Sequence, residues 1–163
     1  MENLRPIDHA ALKTNQLVII TLNIIAFIID APWLAAVVMA MMIAGAFLGQ
    51  PAFGFVYHRF MKESGWMKPD VLMDNNEPHR FAQGFGGFVM LFGTLALWVS
   101  VPVIGWGLVW LVTALAALNA FGGFCVGCFV YYWLSRIGVP GFRKSPPPDT
   151  FPGMRPKGGV YES

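Results

Sequence analysis

Charge is scarce in this 163-residue chain: Asp, Glu, Lys and Arg together make up 12% of it, about half of what a soluble domain carries. The other shortages narrow the field further. Two cysteines cannot staple a secreted scaffold. A net charge of +2 is no footprint for nucleic acid. Eighteen glycines without a three-residue period exclude collagen, and a 56% hydrophobic content excludes intrinsic disorder. The three histidines, His9, His58 and His79, fall at the edges of apolar stretches. Paired-histidine ligation of a haem within a bilayer is therefore not expected. The stretches themselves carry no Asp, Glu, Lys or Arg at depth, so an intramembrane ion or proton relay lacks its parts.

What is abundant is long apolar sequence, with a mean hydropathy of +0.56. Four stretches approach the roughly 20 residues that cross about 30 Å of hydrocarbon: about 14–29, 33–57, 81–101 and 104–134. Pro32 suits a first helical position, and Pro51 is expected to kink the second span. The fourth stretch is too long for one straight span, and Gly122-Gly123 is its expected break point. The fold class is thus all-α: a polytopic membrane protein with four transmembrane helices.

The basic residues orient it. All 11 Lys and Arg precede the first stretch, lie between the second and third, or follow the fourth, and the two remaining turns have none. Basic loops stay on the cytoplasmic side, so both termini are expected there, in the inner membrane of a bacterial cell. The opening Met-Glu-Asn-Leu-Arg reads as the lead-in to a retained anchor, not a removable signal. Residues 1–138 then form the membrane domain, with a cytoplasmic loop at 58–80 that mixes Phe60, Met61, Trp66 and Met67 with charge. Such a loop lies in the headgroup zone or docks a partner. The Pro- and Gly-rich tail, 139–163, is expected to be extended when alone in water.

The sharpest chemical feature is Gly123-Phe124-Cys125-Val126-Gly127-Cys128, with Tyr131 following. Cysteines at i and i+3 share a helix face within disulfide range. A break at Gly122-Gly123 would put Cys125 in the first turn of a new helix, where thiolate is stabilised; an unbroken helix would leave both thiols inert. Arg80 and Gln83 open the third span on the same side and are candidate neighbours. Zinc or an iron–sulfur centre needs about four ligands and the chain offers two thiols, so neither metal nor cofactor is expected. Close helix packing accounts for the glycines at 45 and 49, 84 and 87, and 123 and 127: Gly45, Gly49, Gly84, Gly87, Gly123 and Gly127.

Arg80-Phe81-Ala82-Gln83 together with the Cys125–Cys128 element and Tyr131 resembles a bacterial family of small integral membrane proteins classed as a domain of unknown function, over roughly residues 5–138. Phe129 departs from the polar or acidic residue expected after the second cysteine. The resemblance implies association with thioredoxin-like or rhodanese-like partners, and through them a redox or sulfur role. Two functions follow. The first is an auxiliary subunit that packs, by its glycine-rich spans, loop 58–80 and tail 139–163, into a larger membrane complex. The alternative is a thiol–disulfide or sulfur-relay protein with Cys125 attacking, Cys128 resolving, and Arg80, Gln83 and Tyr131 as neighbours.

Overall fold

The structure, a computed structural model, describes residues 4–62 and 68–156. Trp66, Met67 and the tail beyond 156 lie outside the described residues. The chain begins as a short strand, β1 (Arg5–Asp8), which leads directly into α1 (His9–Ile28). Asp8 caps that helix, its carboxylate accepting from the Ala10 amide at 2.9 Å. A tight turn at 29–31 passes the chain into α2 (Pro32–Leu48), with proline at its start as expected.

The helix α2 ends before Pro51 instead of kinking at it and continuing to Tyr57. Gly49 takes a left-handed φ of 71° at its C-terminus, a conformation open to glycine and hostile to most other residues. Arg80 seals this end: its guanidinium donates to the Ala46 and Phe47 carbonyls, at 3.1 and 3.3 Å. A short turn of helix, α3 (Gly54–Val56), runs into a π-helical turn at Tyr57–Met61.

After the loop, β2 (Val71–Asp74) pairs antiparallel with β1, Asp8 opposite Val71 and Arg5 opposite Asp74. This two-stranded ribbon corrects the all-α expectation, because four-residue strands are too short to leave a pattern in the sequence. It feeds α4 (Asn76–Trp98), then a turn at 99–101 and α5 (Pro102–Gly122). As expected, the chain breaks after Gly122: Gly123 adopts φ 63°, and α6 (Val126–Arg136) starts anew.

The helices α1, α2, α4 and α5 form a bundle around a core that includes Ile19, Val38, Met42, Met90, Val109 and Val112. Three of them, α1, α4 and α5, are long and apolar enough to cross a membrane, while α2 has 17 residues, about 25 Å of helix. One polar contact crosses the core: the Asn23 amide nitrogen of α1 donates to Thr113 of α5 at 3.0 Å. The bundle surface is apolar, with Phe47, Phe88 and Val103 exposed, and Trp33 and Trp98 flank the end that holds the two tight turns.

Small residues set the helix spacing. A Cβ on Gly87 would meet Ile43 of α2 at 2.8 Å, and one on Gly84 would touch Ala46 at 3.3 Å. A Cβ on Gly127 would lie 2.7 Å from the Ala82 Cα, so α6 rests directly on the first turns of α4. Gly45 instead accommodates the Gln83 side chain and the returning 50–52 turn. Gly123 and Gly127 fall on opposite sides of the helix break and so do not form one packing stripe.

Candidate functional site

At the end of the bundle opposite the tight turns, the start of α4, the start of α6 and the tail converge on one pair of sulfurs. The break at Gly123 leaves Cys125 extended at the N-cap of α6, and one turn in, Cys128 meets it: the two are joined in a disulfide, with Cα atoms 5.2 Å apart. The Cys125 sulfur also accepts from the Cys128 backbone amide at 3.2 Å. When the bond is reduced, that donor and the aligned peptide dipoles of α6 favour thiolate at Cys125. Both cysteines are buried, with Tyr131, Tyr132, Phe81 and Phe142 packed around them.

The Cys128 sulfur faces a histidine. His79, in the first turns of α4, places Nδ1 3.6 Å from it, and its Nε2 lies 2.9 Å from the Asp74 carboxylate. A carboxylate at Nε2 holds the proton there and leaves the Nδ1 lone pair turned to sulfur. The same Asp74 oxygen sits 3.2 Å from His9 Nε2, and its other oxygen accepts from the Asn75 amide at 2.7 Å. Burial alone would raise the Asp74 carboxyl, but hydrogen bonds from His79, His9 and the Asn75 amide hold it well below the usual carboxylate range. The β-ribbon makes this possible: it ties the residue before His9 to β2, whose last residue, paired opposite Arg5, is Asp74, and the His9 side chain reaches that carboxylate.

Two donor groups, His79 with Cys125 and Cys128, and His9 with Asp74 and His79, each have their ligand atoms within 4.8 Å of one another. In the disulfide state the first group lacks the thiolates that a soft metal requires.

The tail covers the pair. Residues 151–155 lie antiparallel to 123–125 through a bridge between Phe124 and Met154, with the Cys125 amide donating to the Gly153 carbonyl at 2.7 Å and the Arg155 amide to the Gly123 carbonyl at 3.0 Å. Arg155 pairs with Asp70, Phe151 stacks on Phe129, and Asn75 donates to the Ser145 carbonyl. The described part of the tail is therefore held by its own chain. A Cβ on Gly153 would lie 2.9 Å from the Cys125 carbonyl oxygen and 2.8 Å from the Phe129 Cβ. Gly153→Val should lift the strap and speed reaction of the pair with a water-soluble thiol by about tenfold, read as the rate of disulfide reduction by glutathione; an unchanged rate would show that the strap does not limit access.

Two cavities meet at the disulfide. The larger, 340 Å³, is lined by His9, Lys13, Lys68, Asp74 and Arg155. The smaller, 130 Å³, extends into the bundle between Ile19, Met42, Phe85, Val89 and Leu115. Cys125 and His79 border both.

The expected neighbours divide. Tyr131 packs in the cysteine cluster, its ring against Phe81, Tyr132 and Phe142. Arg80 is spent on the end of α2. Gln83 ties the turn after α2, donating to the Met42 and Gln50 carbonyls at 3.1 and 3.3 Å, although it borders the smaller cavity. His79, Asp74 and His9 were not expected. The signal available was Asp74 and His79 flanking the start of the helix that also carries Arg80 and Gln83; nothing in the sequence links them to a cysteine 49 positions on.

No curated protein and no solved structure matches this chain. The model of a domain of unknown function, DUF4395, matches residues 7–136, which takes in the bundle, β2 and the second half of β1, the histidines and both cysteines but not the strap. The chain belongs to the DUF4395 family.

Proposed function

We propose that the protein carries out thiol–disulfide exchange at a membrane surface. The observation that carries this reading is the Cys125–Cys128 disulfide at a helix N-terminus with Cys128 against the His79–Asp74 pair. A subunit built only to pack has no use for a half-buried histidine aligned by a carboxylate onto one sulfur, so we prefer this reading to an auxiliary subunit.

In the exchange, a partner thiol gives its proton to His79 Nδ1 and its thiolate attacks the Cys125 sulfur, forming a mixed disulfide and releasing the Cys128 thiolate, to which His79 passes that proton. The partner's second thiolate then attacks its own sulfur in the mixed disulfide, and Cys125 leaves, stabilised by the α6 N-terminus. The sum converts the protein disulfide and a partner dithiol into a protein dithiol and a partner disulfide. A thioredoxin-like protein, with its pair of thiols, has what this requires.

We place the bundle across a bacterial inner membrane with four spans, α2 being the short one, and with the termini and the disulfide on the cytoplasmic side. Every described Lys and Arg, from Arg5 to Arg155, lies towards the end of the bundle that carries the disulfide, whereas the opposite turns carry only Asp30. That is the asymmetry of basic residues retained on the inner face.

The test is the single-cysteine pair. With Cys128→Ser, Cys125 should form a stable mixed disulfide with glutathione disulfide at neutral pH, about tenfold faster than Cys128 does in Cys125→Ser. Equal inertness of the two cysteines, in membranes and in detergent, would overturn the reading.

A further inference from the structure

We infer that the smaller cavity is the seat of a lipid-soluble quinone that takes electrons from the Cys125–Cys128 dithiol, an inference that rests on the exchange reading above. A pair reduced by a partner dithiol returns to the disulfide only by giving up two electrons. The structure offers two approaches to those sulfurs, one polar and one at hydrocarbon depth, and Cys125 and His79 stand where they meet.

The deep approach suits one kind of molecule. Its walls are the side chains of Ile19, Met42, Phe85, Val89 and Leu115, which reject a charged or strongly hydrated oxidant. A cavity of about 150 Å³ already holds a single six-membered ring, and 130 Å³ is of that order. At its cysteine end, where it meets the larger cavity, are the amides of Gln16 and Asn119, which border both, are half-buried and hydrogen-bond to no other described residue. Unpartnered amides at one end of an apolar pocket match a flat apolar ring that presents carbonyl oxygens and carries a hydrocarbon tail.

The chemistry balances. The two thiols lose two electrons and two protons as the sulfur–sulfur bond forms, and the quinone gains them and leaves as the hydroquinone. His79, bonded through Nε2 to Asp74 and facing Cys128 through Nδ1, takes up the Cys128 proton on the way.

The full chain, reduced in detergent and freed of reductant, is mixed with decylubiquinone, and both loss of the quinone absorbance and loss of alkylatable thiol are followed; glutathione disulfide is the parallel oxidant. Decylubiquinone should oxidise the pair with one hydroquinone formed per disulfide. Leu115→Trp, which fills the deep cavity alone, should slow that reaction by about tenfold or more and leave oxidation by glutathione disulfide unchanged. Val89→Met, which narrows the deep cavity from α4 and does not border the larger one, should do the same and serves where the tryptophan variant does not fold. Normal reaction with glutathione disulfide but none with decylubiquinone, or quinone oxidation that neither variant slows, would overturn the quinone site while the exchange reading stands. Failure of the wild-type dithiol with both oxidants would overturn both.

Discussion

Replacing His79 with glutamine should slow exchange at the Cys125–Cys128 pair by about a hundredfold or more, the usual contribution of a positioned base. Glutamine keeps a polar group near Asp74 but cannot shuttle a proton at the atom that faces Cys128 at 3.6 Å. The loss should therefore fall on the step that protonates or deprotonates Cys128. Formation of the mixed disulfide at Cys125 in the Cys128→Ser background should be largely unaffected. Added imidazole should restore part of the rate in the glutamine variant, which a merely structural role for His79 would not allow. The measurement is stopped-flow reduction and reoxidation of the disulfide, with and without imidazole, alongside a thermal unfolding curve showing that the variant is folded.

Asp74→Asn is the second variant with a large expected effect, on stability as well as rate. The carboxylate is buried, hydrogen-bonded to His79 and close to His9, and removing its charge leaves two imidazoles without their acceptor. The cost at neutral pH should be about 2–4 kcal/mol. The sign with pH follows from the lowered carboxyl. A group ionising more readily in the folded state than in the unfolded chain adds stability above its unfolded value and loses it as pH falls through the folded one. Wild-type protein should therefore lose stability progressively below about pH 4, and Asp74→Asn should lack that part of the loss. Thermal unfolding in detergent across an acid pH series reads it. Asp74 acts through His79 and touches no reacting sulfur, so the asparagine should also slow exchange, by roughly tenfold, with the same partial rescue by imidazole.

Both variants concern residues whose importance is invisible along the chain. His79 and Asp74 read as ordinary polar residues of a loop edge, and His9 as the start of a helix. Their meeting depends on the ribbon between β1 and β2, where four residue pairs bring the N-terminus against the loop before α4. Four-residue strands carry too few alternations to register as a pattern, so this contact had no signal to find. Arg80 and Gln83 failed as thiol neighbours for a related reason. They lie on the side of α4 that meets α2, and a helix that stops at Gly49 leaves carbonyls which those side chains satisfy.

The tail shows the same limit from the other side. Its proline content predicts a segment that is extended when alone in water. Against α6, however, Phe151 meets Phe129, Arg155 meets Asp70, and the Gly153 and Gly123 carbonyls accept from the backbone. Phe129, a departure from the polar or acidic residue expected after the second cysteine, is accounted for as the surface on which the strap lies.

By itself the sequence determined the apolar helices, the one-sided placement of basic residues, the break at Gly122-Gly123 and the pairing range of Cys125 and Cys128. These depend on hydropathy, glycine and spacing, which act over a turn or two of chain. Only the tertiary structure decided what surrounds the sulfurs: the His79–Asp74–His9 cluster, the strap, and the two cavities meeting at Cys125. Those arise where segments far apart in sequence are forced together at one end of the bundle, and no local property of any one segment encodes where another will land.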